Sequence, residues 1–447
     1  MNISVFIKNL IPKFEYLLIT FFFLILTLDG RSFFNLSPGL WLSIYVVVFC
    51  LITIGIKWGR FAYFLTHDKL SVLLVAVAIF SFFWSEGPRV TLRSSIDLIG
   101  LLMTGVYIAA RLSFKEQQQL LAWALGISAV GSLVFATALP QYGQGTEMHA
   151  SLWTGIYGHK QVLGRAMSLN AILLLFLLPQ TQKYRIFLYL SLGISIILIL
   201  MSGSKTALLA VFIVILASLP FSKLLTWKLL TWKNELLSVG LSLIFLAGIS
   251  IVVGVVFLNF GTILNAFGKD EGLTGRIPVW TILIRLGSDA ALLGRGFRGF
   301  WLGEGSIVDQ LRVEYPTWKV PHGHNGLLDL WLELGFLGVT IFMIGLTLSF
   351  KMAIEFIRLE RTLKSLWPLN YFIHLVLVNF SQSLLLRLDP PNFHPYWLLY
   401  VVTNVTLINE FRKATRKKHM EISKLAKGDE GPLSKVLYSS ENPIQNV

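Results

Sequence analysis

Apolar runs long enough to cross a lipid bilayer recur from one end of this chain to the other. Most are about 16–22 residues long, and as helices they match a hydrocarbon core of about 30 Å. Inside lipid such a run must be helical, because a helix satisfies its own backbone hydrogen-bonding groups. Only 14% of the 447 residues are charged, against roughly a quarter in a typical soluble domain. The sequence therefore predicts an all-α integral membrane protein.

The apolar runs predict about twelve transmembrane helices. The first run follows Lys8 and Lys13 and resembles a signal peptide. It lacks a small-x-small cleavage site and further runs follow it, so we interpret it as a retained first span. The predicted spans cover residues 14–28, 40–56, 70–84, 92–110, 118–139, 162–179, 186–201, 205–220, 237–258, 327–350, 366–386 and 395–409.

Lys and Arg concentrate in alternate connections, which predicts the orientation of the chain by the positive-inside rule. With an even number of spans, both termini are expected to be cytoplasmic. The opposite short loops carry only Arg31, Arg89, Arg93 and Arg387. The basic set comprises Lys57, Arg60, Lys69, Arg111, Lys115, Lys183, Arg185, Lys223, Lys228, Lys233, Lys351, Arg358, Arg361 and Lys364.

Four regions follow from this pattern. Residues 1–258 form an N-terminal transmembrane bundle of about nine spans, and residues 259–326 form a large outer, periplasmic loop. Residues 327–411 hold about three C-terminal spans, and residues 412–447 form a basic cytoplasmic tail. The net charge of +14 reflects this loop asymmetry, and no nucleic-acid-binding pattern is visible. The lone cysteine, Cys50, excludes a disulfide within the chain and a thiolate metal site.

Two connections on the outer side are long, at residues 140–161 and 259–326. Long loops on a compact bundle usually carry function. Apolar pieces at 277–286 and 290–293 predict short helices lying on the membrane. The second loop is also basic, which suits either a solvated surface or a binding site for an anionic substrate. Arg binds phosphates well because its planar guanidinium donates two parallel hydrogen bonds. The cations of this loop are Arg276, Arg285, Arg295, Arg298, Arg312 and Lys319.

Three more cations stand at the outer ends of predicted spans. Lys160 and Arg165 flank the start of one span in GHKQVLGR, and Lys205 opens another in SGSK. A helix N-terminus already favours anions through its free N–H groups and its dipole. The three cations therefore predict a pyrophosphate site, and the alternative for each is that it snorkels to the interface.

The segment PHGHNGLLDLWLELGFLG at 321–338 combines several polar features. His322 and His324 fall just before a helix that runs inward, and Asn325 is its candidate N-cap. The pKa range of histidine near neutrality suits His324 for taking a proton from a hydroxyl. Metal binding by both histidines, helped by nearby carboxylates or His149, is the competing interpretation, although no recognised ligand spacing is present.

The same segment continues with two carboxylates and two glycines. Asp329 and Glu333 are four residues apart and share one helix face. A carboxylate inside a span costs several kcal/mol unless it is paired, so Glu333 needs a partner, such as an Arg or His of the outer loop. Gly335 and Gly338 permit close helix packing.

These motifs resemble the O-antigen ligase/polymerase superfamily, the Wzy_C grouping. Its signature of His, then Asn, Ser or Gln, nine residues, Gly, two residues and Gly is matched by His324, Asn325, Gly335 and Gly338. TGRIPVW at 274–280 and GRGF at 294–297 look like its outer-loop motifs. GHKQVLGR and SGSKTALLA look most like exopolysaccharide polymerases of the ExoQ type.

The resemblance implies a metal-independent, GT-C-like glycosyltransferase in the bacterial inner membrane, with its active site facing the periplasm and no cofactor. The donor would be a glycan on undecaprenyl pyrophosphate. The family's catalytic histidine maps onto His324, and its phosphate-binding arginines map onto Arg276 and Arg165. For a polymerase, a chain-length regulator or an export complex is an implied partner.

Three alternatives remain open. The acceptor distinguishes a polymerase, which uses a second lipid-linked repeat, from an O-antigen ligase, which uses lipid A–core. A membrane transporter would place ionisable residues near the membrane midplane, whereas here they cluster in outer loops. A structural membrane subunit would need no basic loop beside a histidine motif. The main polar residues within the spans are Asp97, His374, Asn379 and Gln382.

Overall fold

The computed structural model describes residues 66–145, 152–182, 184–224, 276–303, 305–308, 322–386 and 395–428, together with residues 16, 19, 20 and 62. The predicted spans at 40–56 and 237–258 lie outside this part, and so does nearly all of the span at 14–28. Cys50, His149, Arg312 and Lys319 also lie outside it.

The described part is helical, with a single isolated bridge between Gln144 and Trp153. Its helices of twelve or more residues are α1 Lys69–Phe80, α2 Pro88–Arg111, α3 Phe114–Ala138, α4 Lys160–Leu177, α5 Arg185–Ser202, α6 Lys205–Leu224, α7 Arg276–Gly287, α8 Gly326–Glu360, α9 Leu366–Asn379 and α10 Tyr396–Gly428.

Five described helices are long and apolar enough to cross a membrane, namely α2, α3, α4 with its extension to Gln180, α5 and α8. Shorter apolar helices occupy Lys69–Trp84 and Lys205–Ser218. All seven coincide with predicted spans, so the all-α membrane architecture is confirmed, whereas the total of about twelve stays a prediction. The chain is a multi-pass membrane protein.

The C-terminal helices differ in length from the predicted spans. α9 ends at Asn379, and α10 continues to Gly428, well beyond the predicted end at residue 409. The continuation is rich in Glu, Lys, Arg and Ala, which have high helix propensity in water. Helix formation there requires no lipid, so span length does not set the end of α10.

α4 lies at the centre of the bundle, where it contacts α3, α5, α6 and α9. Its span is 78% buried, whereas that of α5 is 33% buried. Gly164 allows the start of α6 to lie close to α4, because a Cβ at this position would come closer than 3.0 Å to Ser204. Asn170 donates from Nδ2 to the hydroxyls of Ser191 and Ser195, both at 2.9 Å. Small residues and interhelical hydrogen bonds of this kind hold membrane helices together.

The described part of the predicted outer loop forms a small apolar core with the first turns of α8. The prediction of a helix at 277–286 is confirmed by α7, but the predicted helix at 290–293 is wrong, because residues 291–293 form turns after the short 3-10 helix Ser288–Ala290. The backbone carbonyls of Ala291 and Leu292 accept hydrogen bonds from α8 instead of from a helix of their own. The buried side chains of this core are Leu283, Phe300, Trp301, Val308 and Leu332.

α8 is broken at Gly335, where φ is 66° and ψ is −167°. In an unbroken helix Phe336 and Leu337 would donate to the carbonyls four residues earlier. Here the Phe336 N–H donates to Ala291 O at 2.8 Å and the Leu337 N–H to Leu292 O at 3.1 Å.

The two carbonyls released by this break accept hydrogen bonds from the same stretch, residues 291–296, which we call the outer segment because it lies in the predicted outer loop. Leu332 O accepts from the Arg295 N–H and Glu333 O from the Gly296 N–H, both at 3.0 Å. Residues 291–296 therefore complete the broken helix, and they fix the first part of α8, residues 326–334, against the outer loop.

Candidate active site at the end where α8 begins

The site end of the bundle is defined here as the end at which α4, α6 and α8 begin. α8 starts as the sequence predicts, because the Asn325 side chain accepts the N–H groups of Leu327 at 3.0 Å and Leu328 at 3.1 Å. His324 precedes this cap with a left-handed φ of 52°. His324 therefore lies in the loop before the helix, and its ring is 4.1 Å from that of His322, centroid to centroid.

Two side chains fix the loop on either side of Gly323. Asp329 accepts the Gly323 N–H through Oδ1 at 2.8 Å, and the Trp280 indole N–H donates to Gly323 O at 2.6 Å. The His324 N–H donates to His322 Nδ1 at 3.1 Å. The backbone beside His324 is thus held by α7 and by the first turn of α8, so the imidazole is presented from a fixed position.

Glu333 has the partner that its burial requires. Arg298 Nη1 lies 3.6 Å from Glu333 Oε1, and both side chains are buried. The expectation of an outer-loop partner for Glu333 is therefore confirmed. Arg298 itself has a left-handed backbone conformation, with φ of 62°, and it is the N-cap of the short helix Gly299–Leu302.

A small cavity opens beside this ion pair. Both carboxylates of the 321–338 segment border it, so the helix face predicted to carry Asp329 and Glu333 faces one cavity. The connection after α9 closes the other side. The residues that line the cavity are Arg298, Gly326, Asp329, Leu330, Glu333, Ser383, Leu385 and Leu386.

The predicted cations of α4 and α6 form a second group at this end. Lys160 and Lys205 are close enough for their charges to interact. Gln382 donates from Nε2 to Gln161 Oε1, which ties the connection after α9 to the first turn of α4. Because the next residue is Ser383, which lines the cavity, the cation group and the cavity are adjacent.

Arg165 lies deeper, one turn further along α4, and is only 3% exposed. Its charge acts on His374 of α9 and on Tyr396 at the start of α10. The His374 Nε2 is 2.8 Å from the Ser168 hydroxyl, and its ring stacks on Tyr396 at 5.9 Å. The side chain of Arg165 is therefore placed where α4, α9 and α10 meet.

Arg295 is engaged by protein groups. It forms an ion pair with Glu86 through Nη1, and its Nε and Nη2 donate to Leu286 O at 3.2 and 2.9 Å. The contact with Glu86 ties the outer segment to the loop between α1 and α2, and the contacts with Leu286 tie it to the last turn of α7. Arg276 is the first residue of α7. Roles in donor binding for both residues stay predictions.

Within the described residues, no three His, Cys, Asp or Glu side chains are grouped so as to hold a metal ion. The metal interpretation also named His149, which lies outside the described residues.

Ser383 was not predicted to belong to the site, and Gln382 was considered only as one of the main polar residues within the spans. Both belong to the polar triplet 381–383, which ends the apolar run of α9. A polar triplet at the end of a span is a signal that could have identified them.

The comparison with known families falls on this region. The family model described as O-antigen ligase, Wzy_C, matches residues 190–343. The resemblance to this superfamily, predicted from the motifs, is confirmed. The match includes the His324 loop, the Arg298–Glu333 pair and Lys205, whereas α4 and Ser383 lie outside it.

A curated relative extends the similarity beyond the matched region. Exopolysaccharide production protein ExoQ of Rhizobium meliloti (strain 1021) is 23% identical over 317 residues, which are 70% of this chain and 69% of the relative. Together with the family match, it supports an O-antigen ligase/polymerase-type membrane enzyme.

Proposed function

We propose that this chain polymerises undecaprenyl-pyrophosphate-linked repeat units during exopolysaccharide or O-antigen synthesis, at the periplasmic face of the inner membrane. The similarity to an exopolysaccharide production protein supports a role in exopolysaccharide synthesis. The observation that carries the proposal is the His324 loop, held by Asp329 and Trp280. This loop begins α8 and lies next to a cavity that adjoins the cations of α4 and α6.

The reaction that fits these groups is a direct displacement. The oxygen of an acceptor hydroxyl attacks the anomeric carbon of the donor glycan while the bond from that carbon to the pyrophosphate oxygen breaks. The bonding pair leaves with undecaprenyl pyrophosphate, and the acceptor proton passes to the His324 imidazole. One displacement inverts the anomeric configuration. The donor is already activated, so the reaction needs no nucleotide.

Cations supply the remaining requirement of this mechanism. Negative charge grows on the departing pyrophosphate, and fixed positive groups in a site that excludes water stabilise it. Lys160 and Lys205 stand together at helix N-termini, which favour anions. Arg165 and Arg276 complete the proposed donor site, by analogy with the family. Metal independence is part of the proposal, because these cations can do the work of a Lewis acid.

The test is a reconstituted assay with purified protein, an undecaprenyl-pyrophosphate-linked repeat, EDTA and no nucleotide. We expect a ladder of longer lipid-linked chains that disappears with His324→Ala. His67→Ala is the matched control, because it removes an exposed imidazole that precedes α1. A ladder that persists with His324→Ala would refute the catalytic role of His324.

The same assay separates the alternatives. The family description names O-antigen ligases, so lipid A–core is supplied as a second acceptor. Transfer to lipid A–core without a ladder would establish a ligase. No product with either acceptor, from folded protein and the native repeat, would refute both enzymes and favour a transporter.

A further inference from the structure

His159 immediately precedes Lys160, the first residue of α4, and it caps that helix. The Gln161 N–H donates to His159 Nδ1 at 3.2 Å. His159 has the extended backbone, with φ of −137° and ψ of 131°, that an N-cap residue adopts. Serine, threonine, asparagine and aspartate are the residues that usually cap a helix in this way. The cap therefore explains the position of an acceptor at residue 159, but it does not require an imidazole.

The cap also fixes which nitrogen of the imidazole carries the proton. A ring nitrogen that accepts an N–H group cannot carry a proton of its own, so His159 Nδ1 is unprotonated. The proton of the neutral ring is then on Nε2, which makes Nε2 a hydrogen-bond donor. The residue is exposed at the start of the helix. The backbone of α4 thus orients an N–H group of His159 at the site end of the bundle.

The groups beside His159 are cations that the packing of two helices brings together. Lys160 lies close enough to Lys205 of α6 for their charges to interact. The two helices can approach because residue 164 is glycine, where a Cβ would come closer than 3.0 Å to Ser204. Like charges held together by packing repel each other, and an anion between them would turn this repulsion into attraction. The free N–H groups of the helix N-termini favour the same anion.

The backbone around His159 is fixed on both sides. The His159 N–H donates to Tyr157 O at 2.8 Å, and His159 O accepts the Leu163 N–H at 3.1 Å. The next residue but one, Gln161, accepts a hydrogen bond from Gln382 of the connection after α9. Because these contacts already order the first turn of α4, a ligand that binds the imidazole has less conformational entropy to remove.

We propose that His159 binds the pyrophosphate of the lipid-linked donor, with its Nε2–H group donating to a phosphate oxygen beside Lys160 and Lys205. This assignment rests on the proposed function. The lysines attract the pyrophosphate as point charges, whereas the imidazole supplies a hydrogen bond of fixed direction. That hydrogen bond strengthens as negative charge grows on the departing pyrophosphate. His159 was not among the site residues predicted from the sequence, because its tautomer is evident only from the cap.

Two substitutions separate the cap from the proposed ligand contact. In His159→Asn the side-chain oxygen takes the place of Nδ1 and retains the cap, but no atom takes the place of Nε2. In His159→Gln the longer side chain can place its amide nitrogen where Nε2 was, but the acceptor of the cap is lost. His67→Asn is the matched control, because His67 is an exposed histidine that precedes α1.

The experiment uses full-length protein in lipid nanodiscs at pH 8, above the ordinary pKa range of histidine. Titration calorimetry gives the dissociation constant of inorganic pyrophosphate, and thermal unfolding gives Tm for each variant. We expect His159→Asn to bind pyrophosphate about tenfold more weakly than the wild type, the loss of one hydrogen bond to a charged group, with an unchanged Tm. His159→Gln should have a lower Tm and yet bind pyrophosphate more tightly than His159→Asn. His67→Asn should match the wild type in both measurements.

Three results would overturn the proposal. Normal pyrophosphate binding by His159→Asn would leave the imidazole as a cap alone. Weaker binding by His159→Gln than by His159→Asn would mean that affinity follows the stability of α4. Absence of binding by the wild type would remove the pyrophosphate from this end of α4.

A measurement on the wild type keeps the proposal testable if a variant does not fold. In protein labelled with ¹⁵N-histidine, the dipolar coupling between ¹⁵N and ³¹P of bound pyrophosphate detects a histidine nitrogen in contact with phosphate. We expect this coupling in the wild type, and its absence would overturn the proposal. None of these measurements depends on chain extension, so failure of the polymerase proposal in the ladder assay is distinguishable from failure of this one.

Discussion

Replacing Gly335 by alanine should detach the outer segment from α8. Gly335 adopts φ of 66° and ψ of −167°, a region that is essentially restricted to glycine. A Cβ at this position would approach Leu292 O and the Leu293 N–H closer than 3.0 Å, and these are backbone atoms that cannot rotate away. The variant must change its backbone conformation or push residues 291–296 outward.

The magnitude follows from the contacts that would be lost. The strained conformation costs about 1–3 kcal/mol for a residue other than glycine. Four backbone hydrogen bonds join residues 291–296 to the broken helix, and each contributes about 0.5–1.5 kcal/mol. Losing all four adds about 2–6 kcal/mol, so Gly335→Ala should destabilise the outer segment by about 3–9 kcal/mol.

Amide hydrogen exchange measures this effect locally, and thermal unfolding in detergent measures it globally. The amides of Phe336 and Leu337 should exchange much faster in Gly335→Ala, because their acceptors at Ala291 and Leu292 are displaced. Gly305→Ala is the control for conformation alone, because its φ is 72° and an added Cβ there meets no atom of the described residues within 4 Å. Gly305→Ala should lower the free energy of unfolding by only about 1–2 kcal/mol.

A second control separates the loss of a glycine from the loss of its contacts. Gly193 lies within α5, and an added Cβ there also has no neighbour within 4 Å in the part of the chain that the structure describes. Gly193→Ala should be neutral or stabilising by up to about 1 kcal/mol. Wild-type exchange at Phe336 and Leu337 in Gly335→Ala, with no greater loss of stability than Gly305→Ala, would refute the role of the outer segment in completing the helix.

Three further predictions concern single residues. Arg276→Ala should raise the KM for the donor more than Arg276→Lys does, since lysine keeps the charge but loses the fork; unchanged donor kinetics in both variants would exclude a donor role. Asn325→Ala should destabilise the start of α8 by about 1 kcal/mol in thermal unfolding, whereas Asn325→Asp retains the cap; equal stability of the two variants would contradict the capping role. Arg295→Ala should lower thermal stability without changing pyrophosphate affinity, because the Arg295 guanidinium contacts Glu86 and Leu286. A weaker pyrophosphate affinity with normal thermal stability would instead support the predicted role of Arg295 in donor binding.

Local features of the sequence were enough to predict much of the bundle. Apolar length predicted the spans that became α2, α3, α4, α5 and α8, because crossing lipid demands a helix of that length whatever surrounds it. Asn325 was predicted as an N-cap because capping involves only residues a few positions apart. The need of Glu333 for a partner was also predictable, because burying a lone carboxylate in a membrane is costly.

The identity of that partner was not predictable from the sequence. Six cations in the predicted outer loop had equal claims as anion ligands, yet Arg298 pairs with Glu333 and Arg295 pairs with Glu86. The left-handed conformation of Arg298 directs its side chain to Glu333, and the position of residues 85–86 brings Glu86 to Arg295. Charge pairing depends on distance in space, and these partners are separated by 35 and 209 residues in the chain.

The sequence by itself determined the helical class, the spans among the described residues and the histidine motif, since each depends on residue type and short spacing. Only the tertiary structure decided how the motif is used. Gly335 suggested close helix packing, but it breaks α8 so that residues 291–296 can complete the hydrogen bonds of the helix. Ser383, in the connection after α9, lines the cavity beside α8. Backbone partners and cavity walls come from segments distant in the chain, and only packing brings them together.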